Sequence, residues 1–180
     1  FGFYMDDGEE GILLPKRFVP SGLQVGDTIS VFVYHDSDNR LIATTQEPLA
    51  VVGDIAALKV VSVTRQGAFL DWGLMKDLFV PVSQQLSTMR IGGKYLVKLY
   101  IDAQTGRVAA TEKIDKQISN DVLSVKEGDK VKVQVYRESE LGYVVIVNGV
   151  HQGLVYKNEV FTHLHIGQYI EEAFVKKIRE

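Results

Sequence analysis

The sequence predicts an all-β protein of tandem five-stranded barrels, one complete in the middle and two outer copies truncated at the chain ends. Three observations predict it. Short runs alternate apolar and polar residues with a period of two, as half-buried strands do. Gly, Asn, Asp and Pro clusters separate these runs and supply the turns. Glycines also recur in register, Gly53 with Gly128, Gly67 with Gly142 and Gly92 with Gly167, each pair 75 residues apart. A fixed period of this kind marks a repeated structural unit.

The first unit, residues 1–47, opens on Phe1-Gly2-Phe3-Tyr4-Met5 and Ile12-Leu13-Leu14-Pro15, read as a hairpin across the acidic turn Asp6 to Glu10. A Pro- and Gly-bounded connection leads to a strand from Thr28 to Tyr34. The turn Ser37-Asp38-Asn39 leads into a strand over Arg40 to Thr44. This unit lacks an opening strand, and Glu47-Pro48 is a natural break.

The middle unit, residues 48–113, is complete. Gly53-Asp54 starts a strand over Ile55 to Thr64. The hairpin Gly67 to Pro81 follows, with Ala68, Leu70 and Trp72 on the inward face and Phe69 and Asp71 outward. A short helical turn is expected between Ser83 and Arg90, then strands Lys94 to Ile101 and Arg107 to Thr111. Five short strands close most economically into a small barrel, which leaves no exposed edge.

The third unit, residues 114–180, begins with a polar linker expected to hold a short helix between Glu112 and Lys126. It then repeats the pattern from Gly128-Asp129 and stops before a fifth strand.

Composition narrows the function. No apolar run approaches the ~20 residues of a membrane span, and no signal peptide opens the chain, so a cytoplasmic location with no membrane partner is expected. Cysteine is absent, which excludes disulfides and zinc–thiolate sites. A net charge of −3 argues against gripping polyanions by bulk charge. The charge is unevenly spread. Residues 1–52 carry 3 basic and 8 acidic side chains, residues 53–113 carry 8 and 5, and residues 114–180 carry 9 and 10. Only the middle unit is basic, so a polyanion would favour it.

The marks Gly-Asp before strand one, Phe69 in strand two, Leu78-Phe79-Val80 in strand three, and Asp102 followed by Arg107 at strand five together form a pattern. It resembles the RNA-binding repeat named after the large small-subunit ribosomal protein "S-one", a five-stranded barrel of the oligonucleotide/oligosaccharide-binding (OB) class. The tandem order, with Leu-Pro or Val-Pro in strand three, is similar to the bacterial conserved virulence factor B family. Its members join such repeats to a C-terminal winged helix, which this sequence does not contain and through which DNA would be a further partner.

The resemblance implies a face of two strand-two aromatics, a strand-three His, and an Asp and Arg near strand five. Carried over, the first unit offers Phe1, Tyr4, Asp36 and Arg40, with Leu14 in the His place and Lys16 beside it. The middle unit offers Phe69, Asp102 and Arg107, with Gln66 in the first aromatic place and Val80 in the His place. The third has Leu141 and Val144 in the aromatic places and Tyr156 in the His place.

These residue types suit single-stranded RNA. An exposed ring stacks a base, an Arg forks onto phosphate, and an Asp can engage the 2′-hydroxyl that separates RNA from DNA. A non-catalytic, regulatory RNA-binding protein is therefore the leading reading. The alternative is an interaction or architectural module whose barrel faces bury one another or a protein partner; Val144 and Ile146 favour it for the third unit. Trp72, ending an inward alternation, reads as core. His163-x-His165 lacks a third metal ligand, no cofactor is implied, and no Walker loop, dinucleotide fingerprint, Gly-x-Ser-x-Gly or His-Glu-x-x-His occurs.

Overall fold

The computed structural model describes residues 1–114 and 118–179. All regular structure in them is strand, apart from the single 3₁₀ turns Lys16–Phe18, Val82–Gln84 and Lys157–Glu159. Strands β5 (Ile55–Val63), β6 (Gly67–Asp71), β7 (Leu78–Pro81), β8 (Lys94–Ile101) and β9 (Val108–Thr111) close into a barrel in the order β5-β6-β7-β9-β8. The helical turn expected after Ser83 sits one residue earlier, capping β7.

The first unit holds β1 (Gly2–Met5), β2 (Ile12–Pro15), β3 (Phe32–His35) and β4 (Leu41–Thr44), in the order β1-β2-β4-β3. This is the middle barrel without a counterpart of β5. Even its one parallel pairing, Leu13 with Ile42, reproduces Phe79 with Ala109. The third unit holds β10 (Lys130–Glu138), β11 (Gly142–Val147), β12 (His151–Tyr156) and β13 (Tyr169–Phe174), in the order β12-β11-β10-β13. It has no counterpart of β9 among the described residues.

The missing β5 counterpart explains one departure from expectation. The strand expected from Thr28 begins only at Phe32. In the middle barrel the first half of β8 pairs with β5, Lys94 opposite Lys59 and Leu96 opposite Ala57. Residues 28–31 have no such neighbour, so no ladder forms there. In the linker, residues 112–114 and 118–126 form no helix; residues 115–117 of that expected helix lie outside the described residues.

The repeated Gly-Asp pair has a local cause. Gly53 and Gly128 adopt φ of 95° and 88°, open to glycine and costly for other residues. The following carboxylate then closes the turn: Asp54 Oδ2 accepts from Val51 N–H at 2.9 Å and Asp129 Oδ2 from Lys126 N–H at 3.0 Å.

Alternation fills the middle barrel as expected. Leu58, Val60, Ala68, Leu70, Leu78, Val80, Val97, Leu99 and Ala110 are buried in one core. At roughly 1.5–3 kcal/mol for each large apolar side chain, this burial is the main stabilising contribution to the unit. Trp72 joins the same core; its Nε1–H donates to the Lys76 carbonyl at 2.6 Å.

Neighbouring units dock on different parts of the barrel. Phe32, Tyr34 and Ile42 of the first unit pack on the turn end of the barrel, Phe32 meeting Trp72 edge-on at 6.0 Å. On the opposite flank, Leu96 joins Ile114, Ile118, Tyr136, Val144 and Ile146 in a second core, with Ala57 and Ile166 packed against it. The linker is clamped there by buried His151. Its Nδ1 lies 2.7 Å from the Ser119 carbonyl, while Nε2 accepts from Ser124 N–H at 3.2 Å and lies 2.7 Å from Ser124 Oγ.

Candidate nucleic-acid interface

Strand register builds a row across the outer face of the middle barrel. Phe69 lies opposite Phe79, Phe79 beside Ala109, and Ala109 opposite Tyr100. The Phe69 and Phe79 rings are 5.1 Å apart at 40°. Both are half-buried, and among the described residues neither belongs to a core cluster. Docking of the first and third units thus leaves this pair outside the shared cores.

Cations flank the row. Arg107 leads directly into β9, two residues before Ala109, and Lys98 precedes Tyr100 by two on β8 and so shares the outward face. Arg107 is half-buried, its Nε–H donating to Asn39 Oδ1 of the first unit at 3.2 Å. Burial and the nearby Asp102 charge push the Tyr100 hydroxyl up, keeping it a neutral donor. Phe79, Tyr100 and Lys98 are not among the residues the sequence nominates. The signal for Phe79 was present: in Leu78-Phe79-Val80 it alternates outward between two buried aliphatics.

The first unit carries the same row as Tyr4, Leu13, Ile42 and Tyr34. Its outer end is open, with Tyr4 70% exposed and Phe1 fully exposed. Its inner end, Tyr34, is buried against the middle barrel. Lys16 is exposed and begins a 3₁₀ turn, its N–H bonded to the Phe1 carbonyl at 2.9 Å. Arg40 is tied to two acids, Nε to Asp36 Oδ2 at 3.3 Å and a terminal nitrogen to Asp38 Oδ2 at 3.0 Å.

Both strand-five acids shape their own turns. Asp36 Oδ1 accepts from Asp38 N–H and Arg40 N–H, each at 2.9 Å, and Asp102 Oδ1 from Gln104 N–H at 2.8 Å. Burial raises the Asp36 carboxyl, but those amides and the Arg40 guanidinium outweigh it and hold the pKa below the ordinary value.

The third unit differs. Val144, at the position of Phe69, is 6% exposed and packed in the core shared with Leu96 and the linker. The aliphatic face is covered, as its composition suggests. Tyr156 does not occupy the place of Val80. In the register Gly67 faces Pro81 and Gly142 faces Tyr156, so Tyr156 matches Pro81 and Val155 matches Val80. Close contacts agree: a Cβ on Gly2, Gly67 or Gly142 would meet the carbonyl oxygen of Leu14, Val80 or Val155 at 2.0, 2.2 and 2.0 Å. The 75-residue period gives the same match, since Gly67 to Pro81 and Gly142 to Tyr156 are each 14 residues apart. The Arg179 guanidinium lies 5.7 Å above the Tyr156 ring.

His163 and His165 rings meet edge-on at 5.2 Å, and among the described residues no group of three or more His, Asp or Glu is arranged to hold a metal. No helix among them is long and apolar enough to cross a membrane.

Comparison with known proteins agrees with this architecture. The S1 domain model matches residues 1–46 and 52–112. Conserved virulence factor B of Staphylococcus aureus is 27% identical over 141 residues, 70% of this chain and 47% of that protein. The Staphylococcus saprophyticus protein of that name is 25% identical over 160 residues, covering 85% of this chain and 54% of its own. YitL of Bacillus subtilis is 36% identical over 81 residues, 44% of this chain and 27% of that protein. The chain thus spans about half the length, or less, of these relatives. A crystal structure of a multidomain protein with nucleic acid binding domains from Streptococcus pneumoniae superposes with a TM-score of 0.55 at 22% identity, covering 99% of this chain and 68% of that one. That likeness shows a shared fold. With two tandem matches over more than half its length, and homology to conserved virulence factor B and YitL, this chain belongs to the S1 domain family.

Proposed function

We propose that the chain binds single-stranded RNA without catalysing a reaction, and that the outer face of the middle barrel is its principal site. Family membership supports nucleic-acid binding. The observation that carries the finer reading is the Phe69–Phe79 pair, half-buried outside the cores, on the same basic unit as Arg107. Two adjacent rings offer stacking surface for bases of any sequence, worth roughly 1–3 kcal/mol per base. Arg107 and Lys98 take the backbone on either side, and the Tyr100 hydroxyl and Asp102 are placed for a ribose 2′-hydroxyl.

In this reading the three units, residues 1–47, 48–113 and 114–180, divide the work. The middle binds, the first extends the site through Tyr4, Phe1, Arg40 and Lys16, and the third is architectural. Burial of Val144 and Ile146 favours the interaction-module reading for that third unit alone. A regulatory role in the bacterial cytoplasm is part of this reading. The test is anisotropy titration with labelled mixed-sequence RNA and matched DNA at two salt concentrations. Salt-sensitive binding that prefers RNA and is lost in the Phe69→Ala, Arg107→Ala double variant is expected. Unchanged affinity in that variant would overturn the site. Binding indifferent to salt would favour an apolar protein contact instead.

A further inference from the structure

The geometry points to one continuous RNA track over the first and middle units, held in line by Lys76 and Arg107; this rests on the RNA-binding reading above. Arg40 and Arg107 occupy equivalent positions in two repeats, each leading its last strand. They converge on a single loop, residues 36–40. Arg107 Nε–H donates into that loop at Asn39 Oδ1, 3.2 Å away, and Asn39 adjoins Arg40. From the middle barrel's hairpin turn, Lys76 Nζ donates to the carbonyls of His35 at 3.0 Å and Asp36 at 3.1 Å. Two cations of the middle unit therefore hold one loop of the first.

The same contacts join the two aromatic rows end to end. Tyr34, the inner end of the first row, lines one small cavity with Trp72, Lys76, Leu78, Arg107 and Val108. Leu78 and Val108 begin the strands that carry Phe79 and Ala109. A path thus runs from exposed Tyr4 over Leu13, skirts Ile42 and Tyr34 where they pack on the middle barrel, and passes the Arg40 loop to Arg107, Phe79 and Phe69. The cations themselves mark the crossing. Lys76 is partly desolvated beside the like charge of Arg107, which lowers its pKa, and Asp36 offsets this only in part. Two like charges held together cost energy that a phosphate between them would relieve. Among the described residues Lys76 uses two of its three donors and Arg107 uses Nε, so both keep donors for a phosphate.

In this scheme Lys76 holds the loop of the first unit and meets the crossing phosphate, and the test is a length series. One OB face takes about four nucleotides or more, so a four-nucleotide RNA fits one face and a twelve-nucleotide RNA spans both. A second contact made through a fixed junction gains from high effective concentration. Chemical-shift titrations would give the affinity of both oligomers for the whole chain, for Lys76→Met, and for Asn39→Gly, which removes the Arg107 acceptor while suiting the φ of 61° at that position. The many registers open to the longer RNA raise its affinity equally in all three proteins and cancel in the comparison. The wild type is expected to prefer the twelve-mer at least tenfold more than either variant does. Variants that keep the full length preference would overturn the track while leaving the Phe69–Phe79 site standing. Failure of the wild type to bind either RNA would overturn the RNA-binding reading, and the track with it.

Discussion

The Phe79 ring lies across Gly67 on the neighbouring strand and 5.1 Å from the ring of Phe69. A Cβ on Gly67 would come within 2.8 Å of Phe79 and 2.2 Å of the Val80 carbonyl oxygen. Absence of a side chain at one residue thus seats the ring of another, and the platform follows from a backbone requirement of the hairpin.

If both rings stack bases, Phe69→Ala and Phe79→Ala should each weaken RNA binding by roughly 1–3 kcal/mol. Because the rings lie outside the cores, the barrel should keep its melting temperature more nearly than after a core truncation. Anisotropy titration beside thermal melts separates the two effects.

Gly67→Ala should act in the opposite way, on stability first. The Val80 carbonyl is backbone in the middle of a ladder and cannot yield cheaply. Overpacking there is expected to cost about 1–3 kcal/mol, read as a lowered denaturant midpoint in chemical unfolding.

Val144→Ala should destabilise the third unit by about 1–3 kcal/mol without changing RNA affinity, since Val144 faces Leu96 and the linker. Any loss of RNA affinity beyond that of a stability control would mean that the third face binds.

Asp36 gives a pH prediction. Its folded pKa lies below the ordinary value, so the folded state binds fewer protons than the unfolded chain in that window. Its contribution is therefore complete above the ordinary carboxylate pKa and is lost as pH falls through the depressed folded value. With Arg40 largely exposed, the ion pair is worth no more than about 1 kcal/mol. Asp36→Asn keeps an oxygen for the Arg40 and Asp38 amides but should abolish this acid dependence, as followed by the Arg40 amide shift against pH.

Much of the fold was legible because alternation and turn glycines are local signals. Ala68, Leu70 and Trp72 read inward, Phe69 outward, and Val144 covered, all from period and composition. What was not legible depends on register and on neighbours. The start of β3 depends on whether another strand lies beside residues 28–31. The Lys76 and Arg107 contacts to residues 35–39 join positions some 40 to 68 residues apart, which no local pattern announces.

The most direct test of the central claim is to map, by backbone and aromatic chemical shifts, where a mixed-sequence single-stranded RNA contacts the chain. Upfield ring shifts at Phe69 and Phe79, with Arg107 and Lys98 perturbed beside them and Val144 silent, are the expected result. Perturbations centred on Val144, Leu96 and the linker, with the two phenylalanines unmoved, would contradict it.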